Sequence, residues 1–194
     1  MKATITSLIF LLLSLTVSSQ TYKYIGIEEG LSNQKIYKIQ KDARGYMWFL
    51  THVGIDQYNG KEIKHYKLKE GDRELDPLLN INWTFLDKTG TLLVTGKQGR
   101  IFRYDSGHDR FVQIYNMYNY WNKDYHAFVR YSYIDQEDNV WLCGKSAIHL
   151  FNIESGQKQQ ISNRLGNITC IEQINSEHFF IGTDKRIYLA KLEN

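Results

Sequence analysis

The sequence has few of the residues that mark metal, redox and catalytic sites. Its 194 residues include two cysteines, one proline and six histidines. No two histidines have the spacing of a zinc motif, and no phosphate-binding loop, nucleophile elbow or calcium loop occurs. We therefore predict no metal site, no cofactor and no catalytic residue. A single proline with 14 glycines favours an all-β domain with many turns.

Neither basic nor acidic residues are in large excess. The chain carries 24 basic and 21 acidic residues and a formal net charge of +3. Because binding to the phosphate backbone requires a basic surface and the sequence has no basic stripe, nucleic acid is not the expected partner.

The two cysteines, Cys143 and Cys170, leave two interpretations open. They fall in different repeats and at different repeat positions, which favours two buried, inert thiols. A disulfide is the alternative, because export would place the chain where disulfides persist.

The most apolar stretch of the sequence is at the N-terminus. It follows Lys2 and extends from Ile5 to Val17, which is shorter than the roughly 20 residues that a membrane-spanning helix needs. Small residues at Val17 and Ser19 suit a cleavage site. We interpret residues 1–19 as a cleaved secretory signal, which predicts a periplasmic or secreted protein; an uncleaved anchor is the alternative. No stable membrane span is expected in the chain.

Residues 31–66 predict one four-stranded antiparallel meander. Apolar and polar residues alternate over Ile36–Lys41 as in a half-buried strand. Gly45 then supplies a turn, Gly54 a second break, and Asn59-Gly60 the strongest short hairpin signal. The other predicted strands are residues 46–51, 55–58 and 61–66.

The pattern of this meander recurs downstream. Starting from Asp42, a glycine, a tryptophan, a second glycine and an apolar residue follow at offsets of three, six, twelve and thirteen residues. Degraded copies start at Asp87, Asp135 and Ile174, at intervals of roughly 40 to 50 residues, which indicates β-propeller blades. We assign the Asp, Trp and Gly residues of the repeat to structure.

These repeats predict an all-β domain over residues 20–194 with about four blades, forming a partial propeller. The expected blades are residues 31–68, 79–115, 127–162 and 165–194. Residues 22–27 are expected to form a further strand, which could pair only with the last one. Residues 69–80, which contain the proline, are interpreted as a solvated linker.

The first repeat resembles the two-component regulator propeller family, the periplasmic sensor region of bacterial hybrid two-component systems. The family pattern is matched by eleven residues and departs at Leu50, where glycine is preferred, and conservatively at Ile55. The matching residues are Gly30, Leu31, Ser32, Ile39, Asp42, Gly45, Trp48, Thr51, Gly54, Tyr58 and Gly60.

The resemblance implies a periplasmic, ligand-sensing β-propeller segment of a two-component regulatory system, without catalytic output of its own. Its implied ligand is a glycan or another small molecule, and its implied partners are a second protomer or the remaining propeller blades. The family's kinase has no counterpart in this sequence. An exported propeller enzyme acting on polysaccharide and a non-functional truncated remnant are the alternatives.

Five residues are candidates for contacting a ligand. Tyr118, Tyr120 and Trp121 belong to an aromatic connection between the second and third blades, and aromatic rings beside amides suit carbohydrate. His52 and Lys97 lie in loops between second and third strands, where propellers present ligand contacts. The competing interpretation is that these rings only pack over the neighbouring blade.

Overall fold

The chain folds into four antiparallel sheets of three or four strands that follow one another along the sequence, with a two-stranded hairpin between the first two. The structure is a computed structural model that describes residues 20–120 and 128–192. The predicted leader, residues 1–19, lies outside the described residues. Three sheets have four strands in meander order and the last has three, so the predicted all-β fold of propeller blades is confirmed.

The strands are numbered along the chain. Blade 1 contains β1 (Ile36–Lys41), β2 (Met47–Thr51), β3 (Ile55–Tyr58) and β4 (Ile63–Tyr66). A hairpin of β5 (Lys69–Glu70) and β6 (Arg73–Glu74) and the short helix α1 (Pro77–Asn80) follow. Blade 2 contains β7 (Trp83–Leu86), β8 (Leu92–Thr95), β9 (Arg100–Asp105) and β10 (Arg110–Asn116), followed by a 3₁₀ turn, Met117–Asn119. Blade 3 contains β11 (Tyr131–Ile134), β12 (Asn139–Cys143), β13 (Ala147–Asn152) and β14 (Lys158–Ser162). Blade 4 contains β15 (Ile168–Gln173), β16 (His178–Thr183) and β17 (Ile187–Lys191).

The hydrophobic core lies between neighbouring blades. Three buried clusters, which we call the first, second and third interfaces, join blades 1 and 2, 2 and 3, and 3 and 4. The first strands of the blades, β1, β7, β11 and β15, adjoin in that order. Each blade therefore covers the apolar face of the next around a common axis, as blades of a partial propeller do.

The Asp and Trp residues that recur at the same spacing in blades 1 and 3 build the turn between the first two strands of the blade. In blade 1, Asp42 Oδ1 accepts hydrogen bonds from the amides of Arg44 and Tyr46 at 3.0 and 2.9 Å, while Oδ2 accepts from Trp48 Nε1 at 2.8 Å. In blade 3, Asp135 accepts from Trp141 Nε1 at 2.9 Å in the same way. The aspartate thus closes the turn and orients a buried ring.

Blade 2 forms the same turn with different residues around the aspartate. Leu93 takes the place of the tryptophan, and the Arg103 guanidinium lies 2.7 Å from the Asp87 carboxylate. Asp87 still accepts hydrogen bonds from the amides of Thr89 and Thr91, both at 2.9 Å. The turn therefore depends on the aspartate more than on the ring that it holds.

The same turns tie each blade to the next. In blade 1, the amide of Ala43, which follows Asp42, donates to Gly90 O of blade 2 at 3.1 Å. In blade 2, the amide of Lys88, which follows Asp87, donates to a carboxylate oxygen of Asp138 in blade 3 at 3.0 Å. Gly90 has a φ of +72° and a Cβ there would lie 2.3 Å from the Ala43 side chain. Only glycine allows the first two blades to approach this closely.

The interpretation of residues 69–80 as a solvated linker is right for the exposure of most of the segment and wrong for its conformation, because the segment forms the β5–β6 hairpin and α1. Asp76 caps α1 by accepting a hydrogen bond from the Leu78 amide at 2.9 Å, and Leu75 and Asn80 are buried. Glu70 anchors the preceding hairpin to blade 2 through Arg100 at 3.3 Å. The segment is ordered because its apolar and charged groups find partners that are remote in sequence.

Residues 22–27 do not form the expected strand. Tyr22 and Tyr24 are exposed over 88% and 69% of their surface, and the backbone makes no strand ladder. A turn follows, in which the Leu31 amide donates to Gly26 O at 2.9 Å. Ser32 then bonds Asp56 of blade 1 at 2.8 Å. These contacts hold the chain across blade 1, and the residues before the turn join no strand ladder there.

The cysteines do not pair, and only one is buried. Cys143 packs in the third interface, where burial raises the pKa of its thiol to about 12. Cys170 is exposed, so the interpretation of two buried thiols is wrong for this residue. Alternation along β15 explains the difference, because Ile171 faces the third interface and its neighbour Cys170 faces away from it.

Candidate ligand-binding face

One end of the blades gathers the loops between second and third strands together with the connections from blade to blade. We call this end the loop face; it comprises residues 51–54, 96–99, 144–146 and 184–186 with the adjoining connections. Backbone hydrogen bonds join the two kinds of segment in each blade. Among them are His52 N to Lys35 O at 3.1 Å and Asp184 N to Asn167 O at 3.1 Å. Main-chain contacts therefore fix the loop face.

His52 lies on the loop face of blade 1. Its Nδ1 is 2.6 Å from the Tyr37 hydroxyl, and the two rings are 6.1 Å apart. Lys35 places its ammonium 5.3 Å from the centre of the Tyr37 ring. His52 thus belongs to a small partly exposed group in which a phenol, an imidazole and an ammonium lie side by side, and all three can hydrogen-bond a polar ligand.

Lys97 occupies the position in blade 2 that His52 has in blade 1. Its side chain is exposed and its carbonyl accepts a hydrogen bond from Val129 N at 2.8 Å. Lys145 is the equivalent residue of blade 3 and is also exposed. Sequence reasoning did not select Lys145, although the repeat frame contains the signal, since each of the three residues follows the starting Asp by ten positions.

Tyr118 and Tyr120 follow the last strand of blade 2, beside the Lys97 loop. The Met117 amide donates to Gly99 O at 3.0 Å, which fixes the start of this connection on the loop face. Tyr118 is half-buried and packs against the second interface. Trp121, the third aromatic residue predicted here, lies outside the described residues.

Tyr120 is 54% exposed, but its ring already has neighbours. It stacks on Tyr115 with an interplanar angle of 1° and a centroid distance of 5.6 Å, and Lys158 Nζ lies 4.0 Å from its centre. A sugar stacking on this ring would have to compete with Lys158 for the π face. Hydrogen bonding through the exposed hydroxyl needs no such exchange.

The structure thus brings Lys97 and the two tyrosines to one region, between blades 2 and 3, and places His52 on blade 1. Further along the loop face, Arg130 Nη1 donates to Asn167 Oδ1 at 3.0 Å, and Asn167 Nδ2 donates to Asp184 Oδ2 at 3.2 Å. This polar row connects blades 3 and 4. Among the described residues, no group of three His, Cys, Asp or Glu side chains is placed to hold a metal ion.

A wide groove lies away from the loop face, between the outer strands of blades 1 and 2. Its volume is about 680 Å³, and β4, β5 and β10 border it. Asp109 stands at its edge and accepts hydrogen bonds from Tyr66 at 2.5 Å and Tyr104 at 2.7 Å. The ion pair with Lys64, reinforced by the two hydroxyls, lowers the pKa of the Asp109 carboxyl to about 2.

The fold and the loop face define this chain as a β-propeller segment with a polar, aromatic rim. Residues 30–52 match the family model described as two component regulator propeller, which confirms the resemblance carried by the first repeat. No curated protein matches the sequence significantly.

Solved structures share the fold at low sequence identity. The extracellular domain of BT4673 from B. thetaiotaomicron, described as a hybrid two component system, matches with a TM-score of 0.67 and 16% identity over 86% of this chain and 22% of that one. The corresponding domain of BT3049 matches with a TM-score of 0.64 and 17% identity over 86% and 26%. YCF48 bound to D1 peptide matches with a TM-score of 0.58 and 15% identity over 84% and 53%. The chain thus spans about a quarter of the length of the first two structures.

The first two matches are extracellular domains. Within the described part of this chain, no helix has the length and apolar character needed to cross a membrane.

Proposed function

We propose that this chain is a ligand-sensing β-propeller segment of a two-component regulatory system, located in the periplasm or outside the cell. The observation that carries the proposal is the family match over residues 30–52, in a fold shared with extracellular domains of two-component systems. In this role the segment has no catalytic output of its own. Residues 1–19 act as its cleaved secretory signal.

The ligand that we propose is an oligosaccharide bound on the loop face. Lys97 offers an exposed ammonium and Tyr120 an exposed phenol, and His52 with Tyr37 adds a second polar group on blade 1. Carbohydrate sites combine such hydrogen-bonding groups with aromatic surfaces. In a sensor, ligand binding favours one arrangement of two protomers or of the remaining blades, and this difference is what the system transmits.

Calorimetric titration of the purified chain with a panel of oligosaccharides tests the proposal. A sugar that binds should lose about tenfold in affinity in Lys97→Ala, since a hydrogen bond to a charged group contributes about 1.5 kcal/mol. Lys61→Ala, which removes an exposed lysine from the hairpin turn of blade 1, serves as the matched control. Equal losses in both variants, or no binding to any sugar, would contradict the glycan site.

The same sugars should be recovered unchanged after prolonged incubation. Release of new reducing ends, abolished by His52→Ala, would instead support an exported enzyme. Loss of cooperative thermal unfolding in the wild-type chain would support a remnant.

A further inference from the structure

The wide groove between the outer strands of blades 1 and 2 has the dimensions of a binding site. We call it the outer groove. Its volume of about 680 Å³ falls within the range of about 300 to 1,000 Å³ that ligand sites occupy. Lys64 pairs with Asp109 where β10 begins, and Glu70 of β5 lies beside Asn116 where β10 ends. β4 and β10 therefore form its two sides, and the β5–β6 hairpin lies at one end.

Each of the two strands that border the outer groove has one edge without a partner strand. Within the part of the chain that the structure describes, β4 pairs with β3 alone and β10 with β9 alone. Residues 109–113 line the groove, and β5 adjoins the remainder of β10. An edge strand presents backbone N–H and C=O groups with which an extended segment can pair. The outer groove therefore suits an extended chain.

An acidic side chain of an extended segment already binds at the end of the outer groove. The Glu70 carboxylate of β5 lies 3.3 Å from the Arg100 guanidinium, and its other oxygen accepts a hydrogen bond from Asn116 Nδ2 at 3.5 Å. Arg100 and Asn116 lie opposite each other in the β9–β10 ladder. The contact shows how this side of blade 2 holds a carboxylate beside β10.

The rest of the outer groove has more cations than carboxylates to pair with them. Lys64 and Lys67 form ion pairs with acidic neighbours. Lys69 and Arg110 are exposed in the groove, and neither forms an ion pair with a described residue. Asp72, in the turn of the hairpin, is the one acidic lining residue of the described chain outside an ion pair. The outer groove thus attracts a ligand with negative charge.

Apolar surface accompanies these cations. Phe111 is partly exposed, and Val112 is exposed over 36% of its surface. Both residues line the outer groove. An extended segment in which acidic and apolar residues alternate matches both kinds of surface.

We propose that the outer groove binds an extended acidic peptide segment of a partner protein, which adds to the edge of β10 and places carboxylates against Lys69 and Arg110. The lining part of β10, residues 109–113, accommodates about five residues of such a segment at roughly 3.3 Å per residue. A uronic-acid oligosaccharide also carries carboxylates, but it has no backbone amides for β10 to pair with. The two strand edges therefore favour a peptide.

Fluorescence anisotropy of a labelled hexapeptide, in which valine and glutamate alternate, tests the proposal with the full chain. The peptide should bind, and less tightly as salt is added. Lys69→Ala and Arg110→Ala should each lower the affinity about fivefold, as expected for an exposed ion pair. Lys41→Ala is the matched control, because it removes an exposed lysine from β1, at the opposite edge of blade 1, and should bind like the wild type.

A modified peptide separates strand addition from charge attraction. With every interior amide N-methylated, it keeps its carboxylates but donates no backbone hydrogen bonds, so it should not bind. Lys97→Ala should leave binding of the unmodified peptide unchanged, which distinguishes the outer groove from the loop face. Absence of peptide binding, equal affinities in Arg110→Ala and Lys41→Ala, undiminished binding of the methylated peptide, or binding of a uronic-acid oligosaccharide in place of the peptide would each overturn the proposal.

Discussion

The first and third interfaces each contain a tryptophan at the same repeat position, and they differ in the residues that pack around it. Trp48 packs within a group of four rings, with centroids 4.7 Å from Tyr104 and 5.5 Å from Tyr66. Trp141 contacts the ring of Phe179 at 4.8 Å and borders a cavity of about 210 Å³. Both interfaces contain the repeat tryptophan, and the outer strands decide how completely the space around it is filled.

The difference has an energetic consequence. A buried side chain is stabilised by close contact on all sides, and a void next to it removes part of the dispersion energy. Blade 1 should therefore be held more tightly than blade 4.

The largest expected effect compares the two tryptophans. Trp48→Ala should lower the free energy of unfolding by about 4 kcal/mol, because it removes a fully buried ring, and Trp141→Ala by about 3 kcal/mol. The smaller loss is expected because the existing cavity already lacks contacts. Urea denaturation followed by circular dichroism measures both values, and a larger loss for Trp141→Ala would contradict the comparison.

Acidification should weaken blade 3 through His149. Position fourteen of the repeat frame holds Asp56 in blade 1 and His149 in blade 3, and both are buried. Burial lowers the pKa of His149 to about 4 from 6.5. Because the folded pKa lies below the unfolded one, protonation favours the unfolded state, and stability present above pH 6.5 is lost as the pH falls toward 4.

The loss at His149 should approach about 3 kcal/mol, at 1.36 kcal/mol per pKa unit. Stability measured by urea denaturation between pH 7 and pH 4 checks this value. His149→Phe, which cannot be protonated, should lose this share of the pH dependence, and a variant that keeps the wild-type profile would exclude His149 as its source.

The turns of blades 1 and 3 should respond alike. Asp42→Ala and Asp135→Ala each leave two backbone amides and one indole N–H without their acceptor. Asp135→Ala also removes the acceptor of the part-buried Asn139 Nδ2, at 2.9 Å. Each should cost about 2 kcal/mol of unfolding free energy, because hydrogen bonds to charged groups contribute about 1.5 to 3 kcal/mol. Thermal denaturation of the two variants is the measurement, and unequal costs would show that the turn does not act independently of its interface.

The smallest expected effect on stability concerns two hydrogen bonds in the first interface that have no counterpart in the third. Tyr66 and Tyr104 donate to Asp109, whereas Ile161 and Ala190, at the matching positions of the third interface, have no hydroxyl.

Lys64→Met should raise the pKa of Asp109 from about 2 while leaving it below its ordinary value, since both tyrosines still donate. The lowered pKa contributes stability that is present above pH 4 and is lost as the pH falls toward 2, so the variant should narrow this window. At neutral pH the change in stability should stay below about 0.5 kcal/mol, because the pair is exposed. NMR titration of the Asp109 carboxyl checks the pKa, and an unchanged value would exclude Lys64 as a cause.

The sequence was sufficient to predict the residues that interact only with near neighbours in the chain. Asp42, Gly45 and Trp48 act within one turn, so their spacing was sufficient to predict both the turn and the ring that it holds. Register within each meander is likewise set by alternation and by short turns. In the candidate site, His52 and Lys97 occupy the same position of the repeat, ten residues after its Asp. The same spacing also predicts Lys145 as a site residue.

Other features depend on contacts between residues far apart in the sequence. The surroundings of Tyr120 became visible only when Tyr115 and Lys158 were placed beside it, and the order in residues 69–80 depends on Arg100. The exposure of Cys170 depends on which face of blade 4 meets blade 3.

The sequence by itself determined the repeated meander, its turns and the family that the first repeat resembles, because these rest on interactions between residues close together in the chain. The tertiary structure decided which blade faces are filled, which edge stays open and which loop residues meet. Those outcomes depend on how side chains from different repeats fit together, and a one-dimensional pattern contains no measure of that fit.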